Sequence, residues 1–135
     1  MPDDNTIVHQ WFDEVWNKGD ENAIERFMGP DSLFHGLPGE PDVRGPGEFK
    51  PFWRKFKGAF PDIRIQVVET IVEGNKVAAR CVVTGVHQGD HLGVKATQRR
   101  IEVGGMVLAY VKDGQIKEGW NYFDLLGMNM QLGLQ

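Results

Sequence analysis

Near its end the chain sets one carboxylate among aromatic rings: in KEGWNYFDLLGMNMQLG, residues 117–133, Asp124 follows Trp120, Tyr122 and Phe123 and precedes two leucines. Alternation along a strand puts Ile116, Glu118, Trp120, Tyr122 and Asp124 on one face, and Lys117, Gly119, Asn121 and Phe123 on the other. If the first face looks toward an apolar interior, the carboxylate is poorly hydrated. Desolvation then raises its pKa toward values useful for taking and returning a proton near neutrality. Asp124 also opens a predicted helix, and aspartate is among the best N-cap residues because its oxygens accept from amides two or three positions on. Local chemistry alone favours the cap.

Other side chains could join it. His35, between Phe34 and Gly36, can hydrogen-bond a carbonyl or relay a proton, though a lone histidine beside a loop can equally be a satisfied polar group. VHQGDHLG gathers His87, Asp90 and His91. A histidine pair four apart converges on a metal when it lies on a helix face, which a glycine-containing strand-to-loop segment does not provide, so these groups are expected at a pocket mouth or in a solvated loop, without a metal. Arg80, in an apolar strand, is expected to pair with a carboxylate. Cys81 reads as a small core residue. Trp53 and Phe56 read as core whose surface also suits a flat apolar ligand. No G-x-G-x-x-G, phosphate-binding glycine loop, G-x-S-x-G, HExxH or CxxC is present, which leaves cofactor-free acid and base work as the expected chemistry.

The elements that must position these groups are legible as changes of period. Ile7, Val8, Trp11, Phe12, Val15 and Trp16 follow helical spacing after a capping DDNT cluster and stop at Gly19. A second helix starting at Asp20 carries Ala23, Ile24, Phe27 and Met28. SLFHG predicts a short strand, and LPGEPDVRGPGE, rich in proline and glycine, a loop. Pro46 opens a third helix with Phe49, Phe52, Trp53, Phe56 and Phe60 on one side. From Asp62 the pattern alternates: two hairpins turn at EGN and KDGQ, the second joining roughly residues 98–111 to 115–123. A short helix closes the chain. The order implies an α+β fold in one domain, 1–135, with no βαβ rhythm. Strands apolar on both faces need two coverings, the aromatic helices on one side and a second copy of the chain on the other, so a homodimer is expected.

The 135 residues suffice for a sizeable core, and 41% apolar with 25% charged residues excludes the disordered and fibrous classes. A net charge of −4 argues against a nucleic-acid partner. The single cysteine, the acidic start MPDDNTIVHQW and the lack of an apolar run near the roughly 20 residues that span a bilayer together predict a cytoplasmic protein with no membrane partner.

Two segments carry a resemblance. GVHQGDHLGV followed by RRIEVGGMVLAYVKDGQIKEGWNYFDLLGMNMQLG resembles the SnoaL-like polyketide cyclases, in which a glycine- and histidine-bearing strand end precedes a "dGkI.E.W...D" hairpin and a closing QLG. The resemblance implies an α+β cone of the nuclear-transport-factor type. In it a curved, mostly antiparallel sheet wraps around N-terminal helices and an internal cavity, usually in a dimer. It also implies that Asp124, at the end of the last long strand, is the acid and base of an intramolecular aldol closure of a polyketide ester, which reverses the local preference for a cap. His35 and His87 fall at positions that members use near the cavity. The chain departs from the pattern at KATQRR, where members commonly carry a PPTG-type turn, and at His91, where an aromatic is common. The same scaffold hosts ketosteroid-type isomerases, dehydratases and epoxide hydrolases, so the fold alone does not choose the reaction. The leading expectation is therefore a cofactor-independent enzyme for a hydrophobic carbonyl compound, and the alternative is a protein that binds such a ligand in the same cone without transforming it. Asp124 would move the proton, while His35, with Tyr122 or His91, would hold the developing oxyanion. Trp53, Phe56, Trp120 and His87 would line the substrate.

Overall fold

A computed structural model describes residues 3–134. Helix α1 (Asp4–Gln10) begins as DDNT predicts: the Asp3 carboxylate accepts from the Thr6 amide at 2.8 Å. It runs on as a wider π-type helix over Trp11–Asn17, which buries Trp11, Phe12, Val15 and Trp16. Gly19, at φ 66°, breaks the run, and Asp20 caps a 3₁₀ turn (Glu21–Ala23) leading into α2 (Ile24–Phe27). Strand β1 (Leu33–His35) follows. The glycine- and proline-rich stretch expected to be pure loop contains a two-residue strand, β2 (Val43–Arg44), which pairs antiparallel with β1. Helix α3 (Gly45–Ala59) has its proline in the first turn and buries Phe49, Phe52, Trp53 and Phe56.

The two hairpins form as the alternation predicts: β3 (Arg64–Glu73) with β4 (Lys76–Val86), and β5 (Arg100–Lys112) with β6 (Gln115–Phe123), before α4 (Leu125–Leu132). The sheet order is β2-β1-β6-β5-β4-β3. Every neighbouring pair is antiparallel except β1 and β6, which run parallel, with His35 opposite Trp120. The sheet curls without closing, and its inner face packs on α1, its π-type extension and α3. Aromatic rings meet there edge to face, Trp11 with Phe34 at 5.5 Å and Trp16 with Phe49 at 6.2 Å, the geometry that ring quadrupoles favour.

One irregularity decides which residues of β6 look inward. Tyr110 lies opposite Glu118 and Val111 opposite Ile116, so Lys117 is an extra residue without a partner, a β-bulge. A one-residue insertion shifts the alternation by one place. Ile116, 3% exposed, and Gly119, three positions on, therefore both face the core. Beyond the bulge the inward series is Gly119, Asn121 and Phe123, and Glu118, Trp120 and Tyr122 belong to the outer series. The face expected to look toward the helical aromatics is the opposite one.

Candidate active site

Between the inner face of the sheet and the helices lies a cavity of about 80 Å³. Trp11, Phe12 and Trp16 wall it from the first helix, and Phe49, Phe52 and Phe56 from α3. Ile63, Ile65, Cys81, Val83 and Val107 line it from the sheet and its approach, and Leu37 and Pro38 from the segment after β1. At the β6 end it is bordered by Asn121, Tyr122 and Phe123, with Gly105 and Met106 beside them. An engineered cavity of ~150 Å³ holds a benzene ring, so this space accepts one edge of a ring system and leaves the remainder at the mouth.

The wall is almost wholly apolar. Its polar side-chain groups are few: the indoles of Trp11 and Trp16, the amide of Asn121, the thiol of Cys81 and the phenol of Tyr122. Asn121 is fixed by its Nδ2, which donates to the His35 carbonyl at 2.9 Å. Burial pushes the Cys81 thiol up to about 11, so it is a neutral wall group at physiological pH, as the core reading of it anticipates. Alternation identified neither Asn121 nor the roles of Phe12, Trp16, Leu37 and Pro38. The signal for Asn121 was the bulge at Lys117, which the residue types do not announce.

Of the residues predicted for the site, Phe56 and Tyr122 border the cavity. Phe56 meets Phe123 edge to face at 5.9 Å, while Tyr122, 69% exposed, stands at the mouth. The other six lie elsewhere. Trp53 is buried in the core, its indole Nε1 donating to the Val15 carbonyl at 3.0 Å. Trp120 is on the outer face, stacked on His35 at 5.1 Å and packed against Tyr110 at 4.9 Å. His35 is on that outer face too, because Phe34 takes the inward place on β1. Its Nδ1 lies 2.9 Å from Asp42 and its Nε2 2.7 Å from Glu118. The hydrogen bond to the Glu118 carboxylate, against the opposing effect of burial and with further support from Asp42, holds the imidazole pKa above its ordinary value.

His87 is fully buried against the Phe60 ring at 5.5 Å. Its Nδ1 accepts the Thr97 amide at 3.1 Å, and its Nε2 has no partner among the described residues. His91 is on the exposed loop, its ring pressed on Gly58 so closely that a Cβ there would lie 2.7 Å away. Among the described residues no three His, Cys, Asp or Glu side chains gather into a set able to hold a metal ion.

Asp124 is exposed and caps α4, its Oδ1 accepting from the Gly127 amide at 2.8 Å. It follows Phe123 directly and so stands beside the end of the cavity wall, with its carboxylate in solvent. Both the local cap and the strand-end position are thus real. The apolar pocket around the carboxylate is absent, because the inward place is taken by Phe123.

A curled α+β sheet wrapped over aromatic helices, with an apolar cavity between, defines a cone-shaped small-molecule-binding architecture. The profile of the SnoaL-like polyketide cyclase family matches residues 6–132, and the chain belongs to that family. It is 30% identical over 122 residues to the aklanonic acid methyl ester cyclase DnrD of Streptomyces peucetius, covering 89% of this chain and 84% of that protein. IdmH of Streptomyces antibioticus superposes with a TM-score of 0.82 at 28% identity, over 97% of this chain and 99% of that one. A SnoaL-like protein from Jannaschia sp. CCS1 superposes with a TM-score of 0.85 at 26% identity, over 98% and 92%. No helix among the described residues is long and apolar enough to cross a membrane.

Proposed function

We propose that this protein is a cofactor-independent acid–base enzyme that takes a flat, hydrophobic, carbonyl-bearing molecule and moves a proton next to its carbonyl, the step that begins an aldol ring closure. The observation that carries this reading is the cavity itself: aromatic rings from the first helix, α3 and the sheet, and one oriented amide at Asn121, with Asp124 next in sequence to the bordering Phe123 though outside the lining. The amide suits a carbonyl oxygen, since its second N–H is free of the His35 bond. In the structure the Asp124 carboxylate lies in solvent and accepts from the Gly127 amide. A ligand seated in the cavity with its outer half over the mouth would strip water from the carboxylate and so make it a better proton acceptor where the proton is taken. The cyclase activity of the relative named above supports this class of reaction.

Asp124→Asn is the decisive variant, because asparagine caps a helix as well as aspartate does and leaves α4 intact. We expect turnover of a polyketide ester such as aklanonic acid methyl ester to fall by about 10²–10⁴, the usual contribution of a general base, with unchanged thermal stability. A loss under roughly tenfold would remove Asp124 from the chemistry. A second reading has its own observation: no Asp, Glu or His lines the cavity, as befits a protein that binds a hydrophobic ligand without transforming it. It predicts ligand affinity without turnover, indifferent to Asp124→Asn.

We also propose that a second copy covers the outer sheet face, where Met106 and Tyr122 are exposed and Leu108, Tyr110 and Trp120 are partly so. The small molecule and this second copy are the partners the reading requires.

A further inference from the structure

His35 makes no contact with the cavity, yet three features tie it to the cavity wall. Its ring is gripped at both nitrogens by carboxylates, Asp42 at 2.9 Å and Glu118 at 2.7 Å. A neutral imidazole has one N–H and one lone pair, so in this geometry it would turn the lone pair on a carboxylate oxygen. Only the doubly protonated ring donates to both. Second, Asp42 ends the strap that runs from Gly36 to Asp42 and contributes Leu37 and Pro38 to the cavity. Third, the His35 carbonyl holds the Asn121 amide.

The strap begins at a point with no play. Gly36, at φ 77°, lies so near β6 that a Cβ would come 2.1 Å from the Asn121 carbonyl oxygen. Its middle is a turn, with the Glu40 amide on the Leu37 carbonyl at 3.1 Å, and its tip reaches α3 through Glu40 and Lys55 at 3.1 Å. Its far end is fastened to β6 by His35 bridging Asp42 to Glu118. The groups facing the imidazole are Asp42 from the strap, Glu118 and the Trp120 ring from β6, and beyond Trp120 the Tyr110 phenol of β5 under the Lys76 ammonium of β4.

We propose that His35 is a positioning residue: as an imidazolium it clasps the Gly36–Asp42 strap to β6 and so keeps the Leu37–Pro38 wall and the Asn121 amide set for the ligand. This deepens the reading above and rests on the cavity being its ligand site. The sign follows from the raised pKa. The clasp is complete below the ordinary histidine value of about 6.5 and is lost as pH rises through the higher folded value.

Hydrogen–deuterium exchange of the full chain tests this, read on peptides spanning residues 36–43, corrected for intrinsic rate, with α3 peptides as the control for global opening. Wild-type strap exchange should quicken several-fold between about pH 6 and about pH 9, as the imidazolium loses its proton and the clasp opens. His35→Gln should be fast at both. His35→Arg, a cation at any such pH, should be slow at both and so rescue the strap. Should His35→Gln fail to fold, Asp42→Asn, at a half-exposed site, tests the same bridge and should also be fast. The affinity of an anilinonaphthalene sulfonate dye should fall wherever the strap opens. Equal wild-type strap exchange at the two pH values, or His35→Gln or Asp42→Asn protection equal to wild type at low pH, would overturn the clasp. A dye affinity unchanged while the strap opens would overturn its link to the cavity. None of these readouts involves turnover, so losing the acid–base role of Asp124 leaves their outcome unaltered.

Discussion

The two faces of β6 make opposite uses of aromatic residues. Inward, Gly119, Asn121 and Phe123 leave space: a residue with no side chain, a short amide and one ring meeting Phe56. Outward, Glu118, Trp120 and Tyr122 fill space, and the tryptophan is sandwiched between His35 and Tyr110. The inner face excludes charge and holds a cavity. The outer face gathers charge, with two carboxylates on one imidazole and an ammonium over a phenol. A row of large aromatics on a strand therefore says little about where a ligand sits. Here the cavity wall is the emptier row, and the rich row is the one that the second copy proposed above would cover.

The contrast can be broken most severely from the inside. Phe49 touches Trp11, Trp16, Phe34 and Phe52, so Phe49→Ala should cost about 3–5 kcal/mol in denaturant unfolding, the range for a buried aromatic truncated to alanine. On the outer face a change should alter assembly before stability. Leu108→Arg should convert a dimer to a monomer in light scattering while shifting the unfolding free energy by less than about 1 kcal/mol. An unchanged dimer would put the second copy on another surface. The smallest effect belongs to the outer rim, where Arg80 meets Glu69 at 3.0 Å with both side chains at least half exposed. Arg80→Ala should cost less than about 0.5 kcal/mol, as exposed pairs do.

Much of this architecture was legible. Helical spacing found the aromatic faces of α1 and α3, alternation found both hairpins, and the carboxylate partner expected for Arg80 is Glu69. β2 was hidden because two residues give no period, and its proline- and glycine-rich surroundings signal only a turn. The site was harder to read because parity on β6 depends on the single unpaired residue Lys117, whose type is ordinary for a strand edge. One misplaced step of alternation carried Trp120, Glu118 and Asp124 to the wrong side and Asn121 out of view. Trp53 shows the core half of its reading: it is buried with its indole on the Val15 carbonyl, while Phe49, Phe52 and Phe56 of the same aromatic stripe line the cavity, a division that helical spacing alone does not reveal.

The parallel pairing of β1 with β6 also sets a schedule. His35 and Glu118 are 83 residues apart, and the entropy of closing a loop grows with its length, so this contact comes late compared with the hairpins, whose strands are neighbours in sequence. On the ribosome the first strand is made early and must wait for nearly the whole protein to follow. Until then Phe34 and the strap have no sheet to lie on. This wall of the cavity is thus expected among the last parts of the molecule to take shape, and a chain cut short before β6 should lose the cavity while keeping the β3–β4 pairing.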